Sequence, residues 1–334
     1  MATDTGGRTA TRPRGPVSRA LTWMENLSEE AYAYLLLVPS MGVLSVIAFW
    51  PLLETVRMSL YGDELFGSAL LGEFVGLQNY VAVLTNQNPL VPRPFLDLSG
   101  ATGVFQQALL VTLLFAVVSV TLETLLGWLM ASLMAKDYRG RRWVRVAIIL
   151  PWAIPIVIQG MIFFLLFRPE VGFLTGPLQA VGLFSSTPLQ NSADSFVIVT
   201  VADVWKTSAF MALLILAGRQ SVSDDLYDVA DIAGATAWQR FRYITLPLVF
   251  PALIVAMLFR TMQAMRVYGV IEATGAGCTT VPSLSCMVVE SMFGATQAYG
   301  TAAVAAVLTA AIIGVVVTVY VVALSRSGGG VSPT

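Results

Sequence analysis

Six stretches of this chain are almost wholly apolar and each is about as long as a bilayer core requires, about 20 helical residues. They cover roughly residues 34–53, 107–134, 146–167, 196–217, 248–271 and 301–324. Inside hydrocarbon every backbone N–H and C=O needs a partner within its own segment, which leaves helices as the natural solution for stretches of this length. The expected fold is therefore all-α, a polytopic membrane protein with six transmembrane helices. Only 12% of the 334 residues are charged and 56% are hydrophobic; soluble domains carry about 25% charge. The net charge of -1 gives no footprint for nucleic acid. The chain has no histidine, which excludes imidazole acid–base catalysis and histidine metal sites. No catalytic and no metal residues are expected.

Short loops rich in Lys and Arg face the cytoplasm. Arg8, Arg12, Arg14 and Arg19 lie before the first stretch, and Lys136, Arg139, Arg141, Arg142 and Arg145 between the second and third. Arg219, Arg240 and Arg242 fall between the fourth and fifth, and Arg326 follows the sixth. With six spans all of these share one side; the other holds Arg57, Arg93 and Arg168. Both termini are thus expected in the cytoplasm. The expected organisation is a tail over 1–30, a membrane domain over 31–325 and a second tail over 326–334. Residues 1–30 lack the apolar core of a signal peptide.

The segment "SDDLYDVADIAGATAWQRFRYITLP", residues 223–247, is polar where its neighbours are greasy. Ser221 or Ser223 can cap a helix with Asp224 and Asp225 in its first turn. Gly234 suits a helix C-terminus. Thr236 and Gln239 fit a capping box that starts a second helix. Trp238, Phe241 and Ile244 recur at three-residue steps as one apolar face, and Pro247 is expected to end that helix. Two short helices under the membrane are the result.

This segment resembles the conserved loop of permease subunits of binding-protein-dependent ABC importers, E-A-A-x-x-D-G-A followed after eight residues by I-x-L-P. Here "DVADIAGA" spans 228–235 and "ITLP" spans 244–247 at the same spacing. Asp228 stands for the Glu, Val229 for the first Ala and Ala233 for the usual Asp. The stretches "FVGLQNYVAVL", "ILPWAIPIVIQGMIFFLLFRPEVGFL", "DVWKTSAFMALLILAGRQSV" and "LFRTMQAMRVYGVI" resemble the carbohydrate branch of that family, the permeases of maltose and glycerol-phosphate type. The resemblance implies a type I importer fold in an inner membrane. It makes residues 221–247 the coupling loop, with Asp224, Asp225, Asp228, Ala230, Asp231, Gly234, Ala235 and Trp238 toward an ATPase. It also implies a second homologous permease, an ABC ATPase dimer carrying ATP and Mg, an extracellular or periplasmic binding protein, and surrounding lipid. The chain itself needs no cofactor: its two lysines, Lys136 and Lys206, sit in no phosphate-binding G-x-x-x-x-G-K-[ST] motif.

Ionisable groups inside spans face a cavity or one another. Glu123 lies in the second stretch, Asp203 and Lys206 in the fourth, and Arg260 in the fifth with Gln263 one turn on. Asp203 and Lys206, three apart, can neutralise each other or contact cargo. Arg260 and Gln263 share a face with Val267 and read either as a pathway or as a salt bridge from Arg260 to Glu123. Trp205 can stack on a sugar ring or simply pack. Pro151 and Pro155 should kink the third span. Cys278 and Cys286, both in the last outer loop, read as a disulfide or as two free thiols. A secondary transporter would show internal repeats and a coupled carboxylate pair; no repeat is visible. Sugar is the expected cargo, with glycerol-phosphate, another polyol, an amino acid or a peptide as alternatives.

Overall fold

The computed structural model describes Gly15 and residues 28–64, 71–169, 171–295 and 297–328. Most of both expected tails lies outside these. The chain divides into two compact units that meet between Thr55 and Val56. The first unit carries most of α1 (Glu29–Met58), an apolar helix long enough to span a bilayer. Ser28 caps it by accepting from the Ala31 N–H.

The second unit holds, in order, α2 (Gln78–Leu84), α3 (Ala108–Ala135), α4 (Arg141–Ala153), α5 (Ile156–Phe167), α6 (Thr175–Ala180) and α7 (Ser192–Gln220). After α7 come α8 (Asp225–Ile232), α9 (Ala237–Ala264), α10 (Gly269–Ala273), α11 (Leu284–Phe293) and α12 (Tyr299–Gly328). Among the described residues the only β pairing is a single bridge from Tyr61 to Phe74. α1, α3, α7, α9 and α12 are each long and apolar enough to cross alone, and α4 with α5, taken as one broken span, is apolar and long enough for a sixth. The all-α, six-span expectation holds, with two corrections of geometry.

The third stretch does not merely kink. α4 and α5 meet at 95°. Pro151 sits inside α4 and Pro155 is the residue before α5, so two missing N–H donors four residues apart release the chain at Ile154. The fifth stretch is displaced toward the N-terminus. Pro247 does not end a helix; it lies near the start of α9's regular part, just after a π-helical turn over Phe241–Thr245. That widened turn bonds i to i+5 and absorbs a residue that cannot donate. α9 instead stops at Ala264, so Val267 does not continue the face of Arg260 and Gln263. α12 runs on through Arg326, which the expected tail boundary had placed outside.

α3 and α7 form the most extensive helix pair, and α9 packs on both. The pairing is close because Gly127 on α3 meets Met211 on α7: a Cβ there would lie 2.7 Å from the Met211 Cβ. Without a hydrophobic drive between helices in lipid, such small-residue contacts provide the packing gain. The core beside them gathers Phe115, Phe196, Val199, Met265 and Ile271. Asp63 accepts from the Gly300 and Thr301 N–H groups at 2.7 and 3.1 Å and so caps α12. Ser99 and Thr102 donate to the Asp97 carboxylate and hold its pKa down to about 2. Cys278 and Cys286 form a disulfide, with Cα atoms 5.5 Å apart.

Gly160 on α5 is a very close helix contact: a Cβ there would lie 2.2 Å from the Ala273 Cβ on α10. Gly160→Ala should destabilise the fold by about 1–3 kcal/mol, as overpacking does. Gly176→Ala, in open space, should not. Thermal unfolding of the purified variants followed by size exclusion checks this; equal midpoints would contradict the contact.

Candidate functional site

Two regions carry the polar chemistry. The first is where α3, α7 and α9 converge. Glu123 is fully buried on α3 and Arg260 is 3% exposed on α9. The Arg260 guanidinium forms a two-point pair with Glu123, through Nε to Oε2 and through Nη2 to Oε1 at 2.9 Å. Its Nη2 also pairs with Asp203 Oδ2 on α7. The Thr207 hydroxyl adds a 2.7 Å bond to Glu123 Oε1. One cation therefore serves two carboxylates from two other spans.

Of the two sequence readings for Arg260, its bond to Glu123 is present. The expected pairing of Asp203 with Lys206 is not. Asp203 turns to Arg260, and the Lys206 Nζ donates instead to the Ile154 carbonyl at 2.6 Å. The reason lies in the broken span. Ile154 is the residue where α4 ends, and a helix broken at membrane depth leaves carbonyls that need donors. A second tie crosses in the opposite direction: buried Gln159 on α5 donates from Nε2 to the Ala202 carbonyl on α7 at 2.6 Å.

Beside these groups lies a cavity of about 240 Å³. Trp152, Gln159, Asp203, Lys206, Arg260, Gln263, Arg266 and Tyr268 are among its lining residues. The break at Ile154 and the break between Ala264 and Gly269 both open on it. Gln159 Oε1 is buried with no hydrogen-bond partner. An unpaired buried acceptor beside the amide of Gln263, the ammonium of Lys206, the phenol of Tyr268 and the indole of Trp152 offers acceptors, donors and an aromatic face together. That is the set a polyhydroxylated ring uses. Trp205 is not among the lining residues; it packs against the Phe163 ring with centroids 5.9 Å apart. Gln159, Trp152 and Tyr268 escaped the sequence reading, which looked for formal charge and for polar or aromatic groups next to it. An amide in the apolar run "IPIVIQGMIFF" was the available signal.

The second region is the polar segment. Its first helix, α8, starts later than expected: Asp224 is the residue before it and makes no side-chain cap, while the Ser221 hydroxyl bonds back to the Gly218 carbonyl. Asp225 and Asp228 occupy the first turn. At the far end Gly234 adopts φ +75°, the Gly234 N–H donates to the Asp231 carbonyl and the Ala235 N–H to the Ala230 carbonyl. This is the paired bonding of a Schellman stop. Thr236 and Gln239 then form the complete capping box. Asp231 and Arg240 pair at 2.5 Å across the bend. Tyr227 and Thr245 hydroxyls lie 3.0 Å apart. Ala230 is buried. The expected apolar face divides: Phe241 packs on Trp128 and Ile244 joins the core, while Trp238 stays 68% exposed. Val229 and Ile232 are exposed as well, Ile232 at 89%.

Residues 123–327 match the family described as "Binding-protein-dependent transport system inner membrane component". The chain is 36% identical to the trehalose/maltose transport system permease protein MalF of Thermococcus litoralis, over 75% of this chain and 79% of the relative. It is 31% identical to the trehalose transport system permease protein SugA of Mycobacterium tuberculosis, over 80% of each. The sn-glycerol-3-phosphate transport system permease protein UgpA of Agrobacterium fabrum is 29% identical over 73% of this chain and 78% of its own. Among solved structures, a bacterial ABC transporter involved in alginate import superposes with TM-score 0.69 at 20% identity, covering 92% of this chain and 99% of that one.

The charge cluster makes an asymmetric prediction. Arg260→Gln leaves two buried carboxylates without their cation and should cost about 3–5 kcal/mol. Glu123→Gln leaves Arg260 its bond to Asp203 and should cost less. The double change Glu123→Gln with Arg260→Gln should recover part of the loss. Thermal midpoints and membrane yield of the three variants measure this. Equal losses in both single variants would contradict a shared cation.

Proposed function

Because the chain belongs to the inner-membrane components of binding-protein-dependent transport systems, we propose that it carries a sugar across the membrane. In this reading it forms the path with a second homologous permease and receives its cargo from an external binding protein. A separate ABC ATPase dimer supplies the energy and holds the ATP and Mg. Both termini and residues 221–247 then face the cytoplasm, as the Lys and Arg distribution supports.

The observation that carries the cargo reading is the cavity with the unpartnered Gln159 acceptor, Gln263 and Trp152 on its wall. The amides of Gln159 and Gln263 and the Tyr268 phenol, beside the Trp152 indole, match hydroxyls on an apolar ring. Arg260 is held by two carboxylates and Lys206 by a carbonyl, which leaves Arg266 as the cation on the wall that a phosphate-bearing cargo, the second reading, would use. The relatives named for trehalose and maltose support the same class. Replacing Gln263 by Leu removes one polar contact and should lower disaccharide uptake about tenfold, the effect of a lost hydrogen bond to a desolvated partner. The complex should still assemble. Uptake of labelled trehalose or maltose in proteoliposomes measures it, and undiminished uptake with every disaccharide tried would contradict the cavity's role.

Residues 221–247 serve as the coupling element in this reading. α8 and the start of α9 are braced to each other by Asp231–Arg240 and the Schellman stop, yet expose Asp228, Val229, Ile232 and Trp238. A rigid pair with an uncovered mixed apolar and acidic surface suits docking on a partner subunit. Gly234→Leu places a branched side chain at φ +75°, where only glycine is unstrained, and should splay the pair. Binding-protein-stimulated ATPase activity should fall severalfold or more while the spans still insert. Full stimulation in Gly234→Leu would reject the bend as a coupling device.

A further inference from the structure

The half-span α4 has features that transport does not use. Arg141, Arg142 and Arg145 crowd its first turns. That is the positive end of the helix dipole, where anions are favoured. The first turn holds no acidic residue, and the residue before it, Gly140, has no side chain to cap with. Asp137 pairs with Arg141 but is itself 90% exposed. Arg145 donates from Nη2 to the Met134 carbonyl at 2.8 Å. Among the described residues no carboxylate pairs with Arg142 or Arg145. The Nε donors of Arg141 and Arg145 are covered yet have no acceptor.

Below this cationic rim runs an open groove of about 650 Å³, whose floor is Val146, Ile149, Leu150 and Ala153. Leu150 and Val146 are both exposed. Trp143, 76% exposed, projects from the same turn as the arginines. α4 runs along α7, with Ile148 packed in the cluster of Ala212, Ile215 and Leu216, Trp152 stacked on Phe210 and the Ile154 carbonyl at Lys206, so the groove leads from the arginines along the helix. Its arginines and indole stand at one end of an apolar face, the order of groups that meets a headgroup first and acyl chains below it.

We propose that α4 holds one anionic phospholipid, its phosphate among Arg141, Arg142 and Arg145 and an acyl chain along Val146, Ile149 and Leu150. Both halves of the site point to the same molecule. A free phosphate would leave the apolar groove open, and a neutral lipid would leave the arginines uncompensated. Basic pockets on the cytoplasmic side of membrane helices bind anionic headgroups for this reason.

Quenching of Trp143 reads the site directly. The full chain is reconstituted in phosphatidylcholine vesicles containing, at matched mole fraction, brominated phosphatidylglycerol or brominated phosphatidylcholine. The Trp143→Phe chain supplies the background of the other indoles. Brominated phosphatidylglycerol should be preferred, by about fivefold for each arginine engaged. Arg142→Gln with Arg145→Gln should abolish the preference, and Arg142→Lys with Arg145→Lys should keep most of it, which separates charge from folding. Equal quenching by the two lipids in the native chain would overturn the proposal. So would an unchanged preference in the glutamine variant, or its displacement by millimolar inorganic phosphate. Loss of the preference on assembly with the partner permease and ATPase would also overturn it, since the groove would then be a protein interface.

Discussion

One guanidinium holds three membrane spans together. Arg260 on α9 bonds Glu123 on α3 and Asp203 on α7, and none of the three side chains is more than 13% exposed. In so dry a setting each charge alone would be very costly, so the helices must rotate until the three meet. The same faces carry the closest backbone approach. Glu123 and Gly127 lie one turn apart on α3, and Asp203, Thr207 and Met211 follow one another by turns on α7. Gly127 meets Met211 one turn beyond the point where Thr207 meets Glu123. Charge pairing and steric fit therefore select one register for α3 against α7, and Arg260 places α9 upon it.

The cavity follows from that placement. Helices broken within a membrane are tolerated only where their freed groups find partners or line a polar space. α7, already fixed by the charge cluster, provides for the break at Ile154. Lys206 donates to the Ile154 carbonyl, and Gln159 reaches from α5 to the Ala202 carbonyl. The Gly160–Ala273 contact then brings α10 against α5, so that the second break stands opposite the first. Two discontinuous helices facing each other produce a polar pocket without any span giving up its apolar exterior. The unpaired oxygen of Gln159 is what remains of that arrangement, a group satisfied neither by backbone nor by side chain.

The sequence was most legible where a rule is local. The spans show in length and hydropathy, the Schellman stop in Gly234, and the capping box in Thr236 and Gln239. Each rests on residues a few positions apart. Glu123, Asp203, Lys206 and Arg260 were also visible as members of a site, because charge in an apolar run is conspicuous. The Arg260–Glu123 pair was among the readings the sequence offered, but the partner of Asp203 was not. Asp203 looked like a mate for Lys206 three residues on, and only the tertiary fold shows that Arg260, distant in sequence, competes for it. Pro247 misled for a related reason: a proline ends a regular helix, but a π turn before it removes the conflict. Ser221 and Ser223 were equally good caps by type, and the end of α7 took the first of them. Gln159 was overlooked because an uncharged amide is a weaker mark than a charge.

α9 joins the two regions in one piece. It begins at Ala237, beside the bend that Gly234 makes, and ends at Ala264, just past Arg260 and Gln263. The 25 or so residues from Trp238 to Gln263 correspond to about 38 Å of helix. At one end Asp231 holds Arg240, and Tyr227 meets Thr245; at the other Arg260 is held by Glu123 and Asp203. A helix pinned at both ends transmits a push as a tilt about its better-anchored point. The buried triad is that point, because exposed pairs such as Asp231–Arg240 contribute little holding energy. In the proposed coupling, a displacement of α8 therefore turns α9 about Arg260. Gln263, less than one turn beyond the pivot, stays nearly in place, and the largest excursion falls on the far end of the helix, Ala237–Arg240, beside the bend. The cavity wall is thus held steady while the cytoplasmic end of the span moves, which is the geometry needed to open a path without dismantling its binding face.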